Sequence, residues 1–233
     1  MTGTGPVAVV TGAASGLGAA VAAALRAGGR RVAGFDLRPS SGVDLAVEVD
    51  VTDADAVAAA VGRVESELGP VEALVTAAGI YEMAPVTDID DARWERMLRV
   101  NLSGTATVCA ALLPLMVARG GGGVVTISSD LGVGGSEGDV HYTASKGAIV
   151  GLTRALASEV DGTGVNINSV APGAANTPML EADSPWRAAE FLSTLPVRRL
   201  VQPEEIAAAA VFLLDVGPAM SGQIISPNAG ATI

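Results

Sequence analysis

The stretch Val7-Ala8-Val9-Val10-Thr11-Gly12-Ala13-Ala14-Ser15-Gly16-Leu17-Gly18 decides how the rest of the chain reads. Its four opening apolar residues, mostly β-branched, suit a strand covered on both faces. Glycines then punctuate a tight turn, and the alanine- and leucine-rich run from Gly16 to Ala27 reads as a helix. A strand, a glycine-rich turn and a helix in immediate succession aim unpaired N–H groups and a positive dipole end at one spot. That spot is a cradle for a pyrophosphate. Gly12 permits the turn, Gly16 lets backbone approach the phosphates, and Gly18 lets the helix pack on the strand. Ser15 and Leu17 belong to the same lining.

The alternation continues along the chain. Strands are expected at 7–10, 31–35, 46–49, 73–76, 124–128, 165–170 and 223–225, and helices at 16–27, 53–68, 92–118, 142–160 and 203–214. Gly69-Pro70 stops one helix, while Pro203 with Glu204 and Glu205 makes a favourable first turn for another. Such alternation implies right-handed βαβ units and an α/β fold. The expected architecture is one domain over residues 1–233, a doubly wound parallel sheet of about seven strands with helices on both faces. Residues 37–45 are too few for a crossover helix. Residues 178–202, with Pro185, Trp186 and Pro196, are irregular.

Composition narrows the function classes. A formal net charge of −11 opposes nucleic acid and anionic membrane as partners, since both require a basic patch. The apolar stretches 106–118 and 206–214 are too short to span a bilayer. The first strand starts so early that no signal or transit peptide is expected, which points to the cytoplasm. Cys109 is the single cysteine and is expected to pack as a small hydrophobe. With one cysteine and one histidine far apart, neither a metal site nor a Ser-His-Asp hydrolase finds support.

A second pattern, Tyr142-Thr143-Ala144-Ser145-Lys146, sets a phenol and an ammonium one helical turn apart on one face, with Ser129 thirteen residues before the tyrosine. Together with the TGxxxGxG turn at Thr11–Gly18, it makes the chain resemble the short-chain dehydrogenases/reductases from Val7 to about Gly230. That resemblance implies a Rossmann-like domain and hydride transfer with a nicotinamide dinucleotide. Tyr142 is then the general acid/base. Its phenol, near pKa 10 when free, is to be helped toward the phenolate by Lys146 beside a cationic nicotinamide. Lys146 also bonds the nicotinamide ribose. Ser129 holds the substrate oxygen, and Asn101 binds a water linking the lysine to solvent. Asp50-Val51 reaches the adenine, although Asp50 could equally cap the following helix. Thr76-Ala77-Ala78-Gly79 stands where relatives carry Asn-Asn-Ala-Gly. Ala78 and Gly79 still let backbone pass the ribose, and Thr76 partly replaces the first asparagine. Pro172-Gly173-Ala174-Ala175-Asn176-Thr177 matches PGxxxT, with Pro172, Gly173, Ala175 and Thr177 around the nicotinamide. The stretch 178–202 forms the substrate lid, and the long helices at 92–118 and 142–160 form one interface of a homotetramer.

Asp36 ends the second strand, where a carboxylate can accept both ribose hydroxyls of adenosine and repel a 2′-phosphate. Together with Ser15, where NADP-preferring relatives place a basic residue, it points to NAD; Arg38 is expected to face solvent. Leu131, Glu137, Met179 and Trp186 are the expected substrate-pocket residues, with Asp130, Val140 and Tyr81-Glu82-Met83 flanking. His141 is expected to form part of the pocket wall. The reading is an NAD-dependent oxidoreductase interconverting a small secondary alcohol and its ketone. An NADPH-dependent 3-oxoacyl thioester reductase, or a non-catalytic dinucleotide-binding regulatory protein, are its alternatives.

Overall fold

Strand formation follows the β-branched runs. β1 (Val7–Thr11) is buried along its whole length, with Val7 and Val9 in one core layer and Ala8 and Val10 in the other. The remaining strands are β2 (Arg31–Asp36), β3 (Leu45–Glu48), β4 (Val71–Thr76), β5 (Gly122–Ile127), β6 (Val165–Val170) and β7 (Ile224–Ile225). All pair in parallel in the order β3-β2-β1-β4-β5-β6-β7 in this computed structural model, which describes residues 5–231. The chain crosses from the β3 edge back to β4 beside β1. The loops at the carboxyl ends of β1 and β4 therefore diverge and open a crevice there.

The helices are α1 (Gly16–Ala27), α2 (Ala54–Glu67), α3 (Asp91–Leu98), α4 (Gly104–Arg119), α5 (Leu131–Gly134), α6 (Val140–Glu159), α7 (Ala189–Thr194) and α8 (Pro203–Asp215). One core layer holds α2, α4 and the end of α6 against the sheet, and α1 and α8 cover the opposite face. No helix connects β2 to β3, as the short spacing requires. Gly18 makes the α1–β1 contact possible, because a Cβ there would lie 2.2 Å from the Gly12 carbonyl oxygen.

The stretch expected as one helix at 92–118 contains a π-helical turn, Arg99–Ser103, between α3 and α4. Helix is nonetheless continuous from Asp91 to Arg119, and these 29 residues are long and apolar enough to cross a membrane by length and composition alone. That corrects the expectation that every apolar stretch is too short. Val108, Cys109, Leu112 and Met116 of α4 are core residues, so its apolar face is occupied within the fold. Burial pushes the Cys109 thiol up to about 12, consistent with a packing role.

Candidate active site

A cavity of about 890 Å³ lies over the carboxyl ends of the strands, large for a small-molecule site. Gly12, Ser15, Gly16, Leu17 and Gly18 line it from the β1–α1 turn, where Gly12 adopts φ 70° and Gly16 φ 55°. A Cβ on Gly12 would come within 2.8 Å of the Ala78 nitrogen, so only glycine lets these two loops touch. The Ala78 N–H donates to Thr11 Oγ1 at 3.0 Å, fastening the β4 loop to β1. Thr76 does not replace the missing asparagine: its buried hydroxyl has no partner among the described residues. The tie comes from Thr11, because the Thr76 side chain is enclosed in the sheet and misses the loop.

Asp36 closes the far end. Its Oδ2 accepts the Ala14 N–H at 3.0 Å and its Oδ1 the Arg38 N–H at 3.1 Å, leaving a lone pair on each oxygen. Arg38 faces solvent as expected, at the rim of the cavity. Its guanidinium folds back over the turn, donating to Ser15 Oγ at 3.1 Å, with Nε 3.9 Å from Asp36. Asp50 and Val51 line the same end. Asp50 accepts from the Thr52 N–H, whereas Asp53 caps α2 by accepting from Ala56, so the capping role of Asp50 is excluded. Ala78, Gly79, Pro172, Gly173, Ala175 and Thr177 also line the cavity. A helix N-terminus behind a glycine turn, free acceptors on Asp36 and a continuous cleft between them fit a dinucleotide.

The reacting end is built on α6. Asp139 precedes the helix, Tyr142 lies in its first turn and Lys146 one turn further on. Lys146 is buried, its Nζ donates to the Ile127 carbonyl at 2.9 Å, and desolvation lowers its pKa to about 8. Nζ lies 5.7 Å from the centre of the Tyr142 ring. Burial raises the Tyr142 phenol above its ordinary range, the Ser129 hydroxyl opposes that shift, and the Asp130 and Asp139 carboxylates reinforce it. The counterweight to burial is thus Ser129; the expected pull of Lys146 is not among the groups that shift the phenol.

Asn101 sits in the π turn, fully buried. Its Oδ1 accepts from Ile80 N–H at 2.8 Å, and its Nδ2 donates to Ile80 O and Ser145 Oγ, each at 3.0 Å. It thereby joins the β4 loop to α6. A Cβ on Gly79 would lie 3.0 Å from Asn101 Oδ1 and 3.7 Å from Lys146 Nζ, so the glycine keeps this junction open.

Leu131, Met179 and Trp186 line the cavity, but Glu137 does not. Glu137 is exposed because the loop turns through Gly135 and Gly138 at positive φ. It docks by backbone instead, the Gly138 carbonyl accepting from Ala84. His141 is likewise off the wall; it is fully buried with Nε2 3.8 Å from Glu82. Tyr81 flanks the reacting groups as expected, and its contacts are what the sequence did not show. Its hydroxyl accepts from Trp186 Nε1 at 2.7 Å, and its ring meets Tyr142 edge-on at 4.9 Å between centres. Phe191 backs Trp186 at 4.8 Å. The aromatic residues at 81, 186 and 191 were the available signal, in a chain with only seven Phe, Trp and Tyr in all.

A doubly wound parallel sheet whose crevice gathers a glycine turn, a strand-end carboxylate, a tyrosine, a lysine and a serine defines a Rossmann-type oxidoreductase. The chain belongs to the short chain dehydrogenase family, whose sequence model matches residues 6–188. It is 37% identical to D-threitol dehydrogenase of Mycolicibacterium smegmatis, covering 98% of this chain and 94% of that protein. It is 33% identical to a 3-oxoacyl acyl-carrier-protein reductase of Thermotoga maritima, over 98% of both chains. The structure of aldohexose dehydrogenase from Thermoplasma acidophilum superposes with a TM-score of 0.90 at 26% identity, covering 97% of this chain and 93% of that one.

Proposed function

We propose that this oxidoreductase uses NAD to interconvert a small neutral secondary alcohol and its ketone. The observation that carries the reading is the single cavity joining Asp36 at one end to Ser129, Tyr142 and Lys146 at the other. Ser129 holds the substrate oxygen beside the phenol. Tyr142 removes its proton in oxidation and returns it in reduction, the Ser129 hydroxyl favours the phenolate, and Lys146 binds the nicotinamide ribose. Bound NAD would supply the hydride acceptor. Asn101 holds the β4 loop against α6 and positions a water that connects Lys146 to solvent. The stretch 178–202 acts as the substrate lid, held down by the Trp186–Tyr81 hydrogen bond, and α4 and α6 form an interface of a homotetramer. A panel of alcohols and ketones, run with NAD and with NADP, tests the proposal; NADH binding without turnover across it would favour a regulatory protein instead. The thioester alternative suits the cations near the lid poorly. Arg199 is paired with Glu205, and Arg187 is engaged by Leu180 O, Thr177 O and Asn176.

The cofactor choice rests on one carboxylate. Asp36→Ser removes a charge-assisted acceptor worth about 1.5–3 kcal/mol, so kcat/KM with NAD should fall by roughly ten- to a hundredfold. Efficiency with NADP should rise, because Arg38 already lies across this end of the cavity and is released to meet a 2′-phosphate. An unchanged NAD/NADP ratio would show that Asp36 does not select the cofactor.

Direction should depend on pH. Burial keeps Tyr142 protonated at neutral pH, the form that reduction uses. Oxidation uses the phenolate, whose population grows as pH rises. Oxidation should therefore accelerate and reduction slow with increasing pH. Flat profiles in both directions, measured where chemistry limits turnover, would exclude Tyr142 as the titrating group.

A further inference from the structure

We infer that Asp130 is a specificity residue that accepts a hydrogen bond from a second hydroxyl on the carbon next to the reacting one, so that the preferred substrates are vicinal diols and polyols. The inference rests on the alcohol/ketone reading above. Asp130 is only 5% exposed, yet it lines the cavity beside Ser129. Its Oδ1 accepts from the Ser129 hydroxyl at 3.2 Å and from the Leu131 N–H at 2.8 Å. Neither donor is charged. Its Oδ2 accepts no hydrogen bond among the described residues. A buried carboxylate with about four acceptor positions and two neutral donors is short of partners, and its pKa is pushed up to about 6, chiefly by burial.

The backbone leaves this side chain little freedom to turn away. Asp130 N–H donates to Pro172 O at 3.0 Å, and the Asp130 carbonyl accepts from Val133 and Gly134 N–H in α5. The carboxylate is therefore held against the wall that carries Ser129. A substrate oxygen resting on Ser129 brings the neighbouring carbinol oxygen to Asp130, because Ser129 Oγ and Asp130 Oδ1 lie side by side at 3.2 Å. A hydroxyl supplies the missing donor there. A ketone, an ether or a carboxylate in the same place does not, and a carboxylate would add a third acidic group beside Asp130 and the nearby Asp139. The preference is thus for neutral, donor-rich substrates.

The test compares 2,3-butanediol (all stereoisomers) with racemic 2-butanol as substrates of the full chain with NAD. The unmodified protein should oxidise the diol with a kcat/KM at least about tenfold higher, and Asp130→Val should reduce that ratio at least about tenfold, the worth of one charge-assisted hydrogen bond. Asp130→Asn, which keeps the shape and one acceptor oxygen, should fall between. The ratio in the unmodified chain needs no variant to fold. Equal efficiency on the two alcohols, or a ratio untouched by Asp130→Val, would overturn the assignment alone. Turnover of neither alcohol would overturn both it and the activity on which it rests.

Discussion

Tyr142→Phe is expected to bind NADH as the unmodified chain does while turnover falls at least about a thousandfold, within the reach of a positioned acid–base group. The substitution removes one oxygen and keeps the ring, so the edge-on packing of Tyr81 against it survives. Among the described residues no other phenol or imidazole at this end of the cavity is free to take the place of that oxygen. Tyr81 is nearest in kind, but its hydroxyl is engaged by Trp186 and its pKa is raised by burial. His141, the only imidazole, lies outside the cavity, buried beside Glu82. Lys146 keeps its bond to Ile127, so the cofactor contacts assigned to it remain. Fluorescence titration of NADH and steady-state rates in both directions check the two halves separately. Near-normal turnover would remove Tyr142 from the mechanism, and lost NADH binding would show that the ring oxygen belongs to the cofactor site.

Much of the fold was legible because its signals are local. The β1 run is β-branched and the glycine turn follows it directly, so strand and turn could be read without knowing any neighbour. β3 emerged correctly after a helix-free crossover because residues 37–45 are too few to hold a helix. The same locality explains what stayed hidden. The run 92–118 reads as one helix, because the bonds from Asn101 in the π turn to Ile80 and Ser145 reach far away in sequence. α7 is a single short stretch within a segment that reads as irregular, too brief to show a helical period.

The site divides in the same way. Spacing alone set Tyr142 and Lys146 on one helix face, and the structure brings Ser129 and the glycine turn to the same cavity. Orientation was another matter. Arg38 and Glu137 are both exposed charges, yet the one expected in solvent lies at the rim of the cofactor end of the cavity and the one expected in the pocket turns away from its substrate end. Neither outcome is set by residue type. Arg38 is steered by Ser15 and Asp36, and Glu137 by two glycines with positive φ. Thr76 shows the converse, since a plausible replacement for asparagine sits at the right position with its hydroxyl enclosed.

Lys146→Met should lower turnover at least about a hundredfold and weaken NADH at least about tenfold, without lowering the melting temperature at pH 7. Both losses follow from the three N–H donors of the ammonium. One is spent on Ile127 O, and the other two remain for the ribose hydroxyls of the cofactor. The third part of the expectation follows from burial. The amine titrates near 10.5 when unfolded and near 8 in the folded chain, because desolvation penalises its charge. Between those values the unfolded chain binds the proton that the folded one does not. Stability contributed by this group therefore falls as pH drops from 10.5 to 8, and the whole penalty is present at pH 7. Methionine fills a similar volume with no charge to desolvate, and that relief offsets the partner lost by the Ile127 carbonyl. A residue kept for packing would show the opposite pattern, with a lower melting temperature and cofactor affinity intact. Thermal melts and NADH titrations on the same preparation distinguish the two, and unchanged NADH affinity would refute the ribose contact. The ammonium is thus held at a cost to the fold, and its two unspent donors say what that cost secures.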